Sequence, residues 1–178
     1  MNSLLSLDQS VSLFLKNFIP HNIYFDNFFS FFSLKGSSIL IWILVIVAVA
    51  ILEERKYPGI SKKDKKFLVL FSLSFLLTTL IVEYILKNIF ERVRPIATQI
   101  YQCPTDYSFP SGHAATAFAA ATILSFFDKK RRWFYYTIAV LISFSRIYLG
   151  CHYFLDVLIG VIIGYFLSKI LLKLFIKL

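Results

Sequence analysis

Residues 145–156 read Ser-Arg-Ile-Tyr-Leu-Gly-Cys-His-Tyr-Phe-Leu-Asp, and they lie where one apolar segment of the chain ends and the next begins. His152 and Asp156 are four residues apart, so a helix that starts near His152 would place the carboxylate on the same face as the imidazole. A carboxylate bound to one ring nitrogen fixes the tautomer and leaves the other nitrogen free to attack. Arg146 adds a fixed cation for an anionic substrate. Charged residues at such a junction also commonly cap helices or lie at a membrane interface, so this stretch alone is equally consistent with a structural role.

The composition is that of a membrane protein. Of the 178 residues, 58% are hydrophobic and 16% are charged, whereas a soluble domain is about half apolar and about a quarter charged. The chain is too short for a second independent core once membrane segments are counted, so we expect a single domain over residues 1–178. Within it, residues 1–35 should form interfacial helices and residues 36–178 a transmembrane bundle.

The net charge of +9 is concentrated in three basic regions. These are Arg55–Lys66, Lys129–Arg132 and the C-terminal lysines Lys169, Lys173 and Lys177. The positive-inside rule places all three at the cytoplasmic face, next to anionic lipids. A nucleic-acid partner is not expected, because it would need a continuous soluble basic patch. The oligomeric state is not defined by the sequence.

Five apolar segments are candidates to cross the membrane. They run over about Ser37–Leu52, Phe67–Ile89, Gly112–Phe127, Trp133–Leu149 and Tyr153–Ile176. Several approach the about 20 residues that a bilayer requires, and the first, third and fourth need interfacial flanks. The predicted fold is therefore an all-α integral membrane protein, a helical bundle of five transmembrane helices.

The N-terminal segment Leu4–Ile19 has the pattern of an amphipathic helix that lies in the interface. Its apolar face would carry Leu4, Leu7, Val11, Phe14, Leu15 and Phe18, and its polar face Asp8, Gln9, Ser12 and Lys16. A short sixth span is the alternative interpretation of this segment. After Pro20, Tyr24–Leu34 is predicted to form a second, aromatic interfacial helix.

With the basic linkers inside, the linkers at Glu91–Pro110 and Gly150–His152 must lie outside. Lys87 and Arg94 lie at that outer face, seven residues apart, so two helical turns would align them. Glu83 lies one turn deeper, where an unpaired acid is costly, and we expect it to form an ion pair that positions Lys87. The same topology places Cys103 and Cys151 outside, where a disulfide and two free thiols are both open, the thiols being at least as favoured.

The next outer cluster is Ser108-Phe-Pro-Ser-Gly-His113, immediately before the third apolar segment. A helix N-terminus that faces outward there offers free amides and a dipole to an anion. Gly112 allows close approach to the backbone, Ser111 can cap the helix, and His113 would project from the first turn.

Together these clusters place three cations, a helix N-terminus and two histidines at one face. The inventory fits phosphoryl transfer, in which the cations and amides hold the phosphate oxygens, one histidine attacks phosphorus and the other protonates the leaving oxygen. Metal-dependent hydrolysis fits less well, because Asp156 and two separated histidines are a poor ligand set.

The motifs Lys87-x6-Arg94-Pro95, Pro110-Ser-Gly-His113 and Ser145-Arg-x5-His152-x3-Asp156 resemble the three-part signature of the type 2 phosphatidic acid phosphatase superfamily. The resemblance implies that His152 is the nucleophile and forms a phosphohistidine, and that Asp156 orients it. It implies that His113 is the general acid, and that no metal or other cofactor is needed. The phosphate-binding residues that it implies are Lys87, Arg94, Ser111, Gly112 and Arg146.

The function expected from the residues and the resemblance together is a membrane lipid phosphatase. Its substrate would be a lipid phosphate or pyrophosphate, with undecaprenyl pyrophosphate, phosphatidylglycerol phosphate and lipid A 1-phosphate as candidates. Gly112 stands where some undecaprenyl pyrophosphate phosphatases have Asp, and this difference makes undecaprenyl pyrophosphate a less favoured candidate without excluding it. We expect a multi-pass protein of a bacterial inner membrane, with the site facing the periplasm or exterior. The alternatives are a lipid-to-lipid phosphotransferase that uses the same histidine and, much less favoured, a non-catalytic lipid-binding protein.

Overall fold

The structure is a computed structural model of the chain, and it describes residues 2–33, 37–54, 61–95 and 103–176. Within these ranges all regular secondary structure is helical, as predicted. The helices are α1 (Asn2–Asn17), α2 (Ile23–Ser33), α3 (Ser37–Glu54), α4 (Lys62–Phe90), α5 (Gly112–Phe127), α6 (Arg132–Tyr148) and α7 (Phe154–Ile176), with a 3-10 turn at Lys129–Arg131. The five segments predicted to span the membrane correspond to α3 through α7.

Two of these helices are long and apolar enough to cross a bilayer. They are α4, with 29 residues, and the 22 residues of α7 from Phe154 to Phe175. Shorter apolar stretches occur at Ile39–Ile51 in α3 and over the whole of α5. The count of five or six spans therefore stays a prediction. Many large apolar side chains on α3 point outward, Ile39, Leu40, Ile43, Leu44, Val47 and Ile51, and an exposed apolar surface of this kind suits contact with lipid.

Helix α5 lies at the centre of the bundle and packs against α4, α6 and α7. Its six buried alanines are Ala114, Ala115, Ala117, Ala119, Ala120 and Ala121. Small side chains allow helices to approach closely in a membrane protein, and α7 uses the same device. A Cβ atom on Gly164 would lie 2.0 Å from the carbonyl oxygen of Ala115, so any larger residue would push α7 away from α5. The site residues on these two helices are consequently held at a fixed spacing.

Glu83 and Lys87 lie near the C-terminal end of helix α4. A capping box between Ser61 and Asp64 starts the helix, and its path is α-helical except at Leu80–Leu86, where it is π-helical. Such wide turns occur often at functional sites. The helix ends at Phe90, and Glu91 adopts a left-handed φ of 45°. Arg94 therefore lies beyond the helix, and the prediction that two helical turns align it with Lys87 is wrong.

Helix α1 forms where the sequence predicted an amphipathic helix, but its polar face packs on protein, whereas a purely interfacial helix would turn that face to water. Leu4, Leu7 and Phe14 are exposed, whereas the polar Asp8 and Ser12 are buried. The reason is that Asp8 and Ser12 accept hydrogen bonds from backbone amides of Leu155 and Phe154 at the start of α7. The polar face thus meets protein, and the apolar face points outward.

Helix α2 occupies Ile23–Ser33, close to the predicted Tyr24–Leu34, of which Leu34 lies outside the described residues. It packs on α6 through Phe29, whose ring lies 4.4 Å from that of Tyr148 and 5.5 Å from that of Phe144. This contact brings the end of α2 against Arg146.

Candidate active site

The turn between α6 and α7 places His152. Gly150 adopts a left-handed φ of 70°, which glycine tolerates without a Cβ clash. The carbonyl of Arg146 accepts the amides of both Cys151 and His152, at 3.0 and 3.2 Å. Since α7 begins at Phe154, His152 lies in the turn rather than in the helix that the sequence predicted to start near it. The turn is also linked to the segment before α5, because Cys103 and Cys151 form a disulfide with Cα atoms 5.4 Å apart.

The imidazole of His152 is buried and held at both nitrogens. Nδ1 lies 2.7 Å from the carbonyl oxygen of Ser108, and because a carbonyl only accepts, Nδ1 carries the proton. Nε2 lies 2.9 Å from Nη1 of Arg94, which only donates, so Nε2 carries a lone pair. Burial lowers the pKa of His152 well below its ordinary value, and the charges of Arg146, Arg94 and Lys87 lower it further. The imidazole is therefore neutral at neutral pH, with Nε2 among the cations.

Asp156 lies beside this imidazole and is fully buried. Its Oδ2 is 3.5 Å from Nδ1 of His152 and accepts the amide of Tyr153 at 2.9 Å. Its Oδ1 accepts from Nη1 of Arg92 at 2.7 Å. The role implied by the resemblance, direct orientation of His152 by Asp156, is thus carried at shorter range by the backbone carbonyl of Ser108.

Lys87 and Arg94 converge on a carboxylate that the sequence did not single out. The Nζ of Lys87 lies 2.6 Å from Oε2 of Glu83, as predicted, and also contacts Oδ2 of Asp106. The Nη2 of Arg94 donates to Oδ1 of Asp106 at 2.8 Å, and its Nε donates to the Asp106 carbonyl at 2.7 Å. Burial acts to raise the pKa of Asp106, but hydrogen bonds and charges from Lys87 and Arg94 outweigh it and hold that pKa below its usual value.

Arg146 is buried, with 2% of its surface exposed. Its Nη1 donates to the carbonyl oxygen of Ser33 at 2.8 Å and to the Ser33 hydroxyl. Its Nε and Nη2 have no hydrogen-bond partner among the described residues. Buried donors left unsatisfied are costly, and an anion bound here would satisfy them.

The N-terminus of α5 lies at the same end of the bundle. The hydroxyl of Ser111 caps the helix by accepting the amide of Ala114, and the Ser111 amide donates to the Asp156 carbonyl at 2.9 Å. A Cβ atom on Gly112 would lie 1.8 Å from Oε1 of Glu83, so this position accepts glycine and brings a carboxylate oxygen against the helix end. His113 follows in the first turn, partly buried.

The described contacts bring most of the predicted site residues to one end of the bundle, whereas His113 is placed by its position in the first turn of α5. Lys87, Arg94, Arg146 and His152 are coupled by direct contact or by charge, and Asp156 joins His152 to the start of α5. Sequence reasoning missed Asp106, Arg92 and the carbonyl of Ser108. Asp106 lies in the linker between α4 and α5, close in sequence to the predicted phosphate-binding residues Arg94 and Ser111, and a carboxylate in that position was a signal. A backbone carbonyl has no signature in the sequence.

Comparison with known proteins assigns this architecture to a family. The family model of the PAP2 superfamily matches residues 67–178, and the chain belongs to that superfamily. It is 32% identical to phosphatidylglycerophosphatase B of Bacillus subtilis over 76% of this chain and 69% of the relative. It is 35% identical to the undecaprenyl-diphosphatase of Sulfolobus acidocaldarius over 61% of this chain, and there it spans only 55% of the relative's length.

A solved structure supports the fold over the whole chain. The crystal structure of a transmembrane PAP2-type phosphatidylglycerolphosphate phosphatase from Bacillus subtilis superposes with a TM-score of 0.68 at 27% identity, covering 100% of this chain and 89% of that one. The predicted family resemblance is therefore confirmed.

Proposed function

We propose that this protein is a membrane lipid phosphatase in which His152 is transiently phosphorylated. The observation that carries the proposal is the state of the buried His152, whose Nδ1 donates to Ser108 while Nε2 faces Arg94 with its lone pair. A neutral imidazole whose Nδ1 keeps the proton can attack phosphorus through the Nε2 lone pair once a phosphate oxygen takes over the Arg94 donor. The names of the two curated relatives, which act on lipid phosphate or pyrophosphate groups, support the substrate class.

The reaction would proceed in two displacements. Nε2 of His152 attacks the lipid phosphate, forming the N–P bond as the bond from phosphorus to the lipid oxygen breaks, and His113 gives its proton to that oxygen. Water then attacks phosphorus, giving a proton to His113, and the N–P bond breaks to release phosphate and neutral His152. Lys87, Arg94 and Arg146 would hold the phosphate oxygens, with the Ser111 hydroxyl and the Gly112 amide nearby. Every catalytic group in this scheme belongs to the protein, and the proposed steps use only these groups, the lipid and water.

The substrate would be phosphatidylglycerol phosphate, undecaprenyl pyrophosphate or lipid A 1-phosphate. The enzyme would lie in a bacterial inner membrane, with its site facing the periplasm or exterior. Chain direction supports that orientation. Helix α4 begins with the basic Lys62–Lys66 and carries Lys87 near its other end, while α5 begins at the site and ends before Lys129–Arg132. Basic residues therefore lie at the helix ends opposite the site, as the positive-inside rule requires for an outward-facing site. Residues 55–60 and Lys177, which were part of the same prediction, lie outside the described residues.

Phosphate release from these three lipids in detergent, with excess chelator, tests the proposal. Wild-type protein should release phosphate, and His152→Ala should abolish the release. His113→Ala should slow it by about 10²–10⁴-fold, the usual contribution of a general acid. Release that survives His152→Ala would refute the proposed nucleophile, and labelled phosphate appearing on an added lipid acceptor instead of in water would make the protein a phosphotransferase.

A further inference from the structure

The polar face of α1 holds the start of α7. Oδ1 of Asp8 accepts the amide of Leu155 at 2.9 Å, and Oγ of Ser12 accepts the amide of Phe154 at 2.8 Å. These amides belong to the first turn of α7, where no carbonyl of the helix itself can accept them. The Asp8 side chain has no exposed surface. A helix that served only as an interfacial anchor would turn such residues to water.

Asp8 is also connected to the reaction centre through one guanidinium. Oδ2 of Asp8 accepts from Nη2 of Arg92 at 2.6 Å, and Nη1 of the same Arg92 donates to Asp156 at 2.7 Å. The guanidinium carbon of Arg92 lies over the ring of Tyr153, 4.2 Å from its centroid, and this cation–π contact helps to hold the side chain. Two buried carboxylates thus share one guanidinium cation, so Asp8, Arg92 and Asp156 together leave one negative charge uncompensated next to His152.

We propose that Asp8 is a positioning residue for the phosphoryl transfer, holding Arg92 and Asp156 in place and leaving a net negative charge beside His152. The inference rests on the proposed function, because phosphorylation at Nε2 with a proton on Nδ1 makes the imidazole a cation. A negative charge stabilises that cation most where water is excluded. Helix α1 is thereby part of the catalytic apparatus, although it lies outside the three sequence motifs.

The charges around His152 show why an extra carboxylate matters. Arg146 on α6, Lys87 at the end of α4 and Arg94 just after it all oppose a positive charge on the imidazole. Asp156 on α7 faces its Nδ1, and Asp106 is engaged by Lys87 and Arg94. Without the charge of Asp8, Arg92 would neutralise Asp156 one to one.

The test compares Asp8→Asn with Ser12→Ala in the full-length protein in detergent, using phosphatidylglycerol phosphate. Asn keeps an oxygen for the Leu155 amide but removes the charge, whereas Ser12→Ala removes a cap of α7 without changing charge. We expect Asp8→Asn to lower kcat by about tenfold, which corresponds to about 1.4 kcal/mol of transition-state stabilisation, with KM unchanged. The acidic limb of its kcat/KM profile should move to lower pH, because the loss of a negative charge nearby disfavours protonation of His152. Ser12→Ala should lower Tm and leave the limb in place.

The inference would be overturned by an Asp8→Asn protein that has a lower Tm but keeps the wild-type kcat and the wild-type acidic limb of the kcat/KM profile. If Asp8→Asn does not fold, Asp8→Glu is the variant to measure. It keeps the charge but moves the carboxylate, so it should retain the acidic limb of the wild-type pH profile and lower kcat. A wild-type kcat in Asp8→Glu would refute the positioning role. His152→Ala, measured in the same series, distinguishes failure of the proposed function from failure of this inference. Activity that survives His152→Ala refutes the proposed function, whereas its loss together with an unaffected Asp8→Asn refutes this inference alone.

Discussion

Oδ1 of Asp106 lies 2.8 Å from Nη2 of Arg94, and the other carboxylate oxygen of Asp106 contacts Lys87. Two cations proposed to bind the substrate phosphate are thus engaged by a carboxylate of the protein itself. Glu83 adds a second carboxylate, 2.6 Å from Nζ of Lys87 and against the α5 N-terminus at Gly112. A phosphate that binds here has to replace carboxylate oxygens on the same donors.

Asp106→Asn should therefore strengthen substrate binding. We expect KM for phosphatidylglycerol phosphate to fall by about three- to tenfold, equivalent to about 0.7–1.4 kcal/mol, with kcat little changed. Steady-state phosphate release measures both constants. Asp64→Asn, at the N-terminus of α4 far along the chain from the site, is the matched control and should leave KM unchanged. A KM that rises in Asp106→Asn would mean that Asp106 holds Lys87 and Arg94 in place for the substrate.

The buried state of His152 sets the acidic limb of the activity. Burial and three neighbouring cations lower its pKa, so the nucleophile stays neutral below the ordinary value of about 6.5. We expect the acidic limb of kcat/KM to lie below pH 6.5, and activity to fall again at high pH as His113 loses its proton. A pH series of phosphate release measures this, and a monotonic profile would contradict the assignment of His152 and His113.

The same shift affects stability in a defined direction. An unfolded chain binds a proton at His152 near its ordinary pKa, whereas the folded protein does so only at lower pH. Stability from this group is therefore complete above about pH 6.5 and is lost as pH falls from there toward the folded pKa.

Arg146 should contribute to phosphate binding through the planar geometry of its guanidinium as well as through its charge. Its Nε and Nη2 lack partners among the described residues, and lysine cannot present two such donors in one plane. Arg146→Lys should raise KM by at least about tenfold, which corresponds to about 1.4 kcal/mol and is within the range of one charge-assisted hydrogen bond. Competition by inorganic phosphate gives an independent measure of the lost affinity. Arg132→Lys, at the first residue of α6, is the control, and an equal change in KM for both variants would count against a phosphate contact at Arg146.

Much of this arrangement could be predicted from local patterns. The apolar segments predicted α3 through α7, the spacing of Glu83 and Lys87 predicted their ion pair, and Ser111 was identified as a helix cap. Each of these depends on residues close together in the chain, where periodicity and spacing fix the geometry.

What the sequence could not provide depends on contacts between distant segments. The amphipathic pattern of α1 shows which residues share a face, but not whether Asp8 and Ser12 meet water or another helix. The tautomer of His152 is set by the carbonyl of Ser108, and a carbonyl is present at every residue. Cys103 and Cys151 are 48 residues apart, and their pairing required knowing that the segment before α5 lies beside the turn before α7.

The central claim is that His152 becomes phosphorylated at Nε2. The most direct measurement is mass spectrometry of protein quenched in alkali during turnover of phosphatidylglycerol phosphate, because phosphohistidine survives alkali and is lost in acid. The account predicts one added phosphoryl group on the peptide that contains His152, lost after acid treatment and missing in His152→Ala. Phosphate release without any phosphorylated His152 peptide, or with the phosphoryl group on another residue, would contradict it.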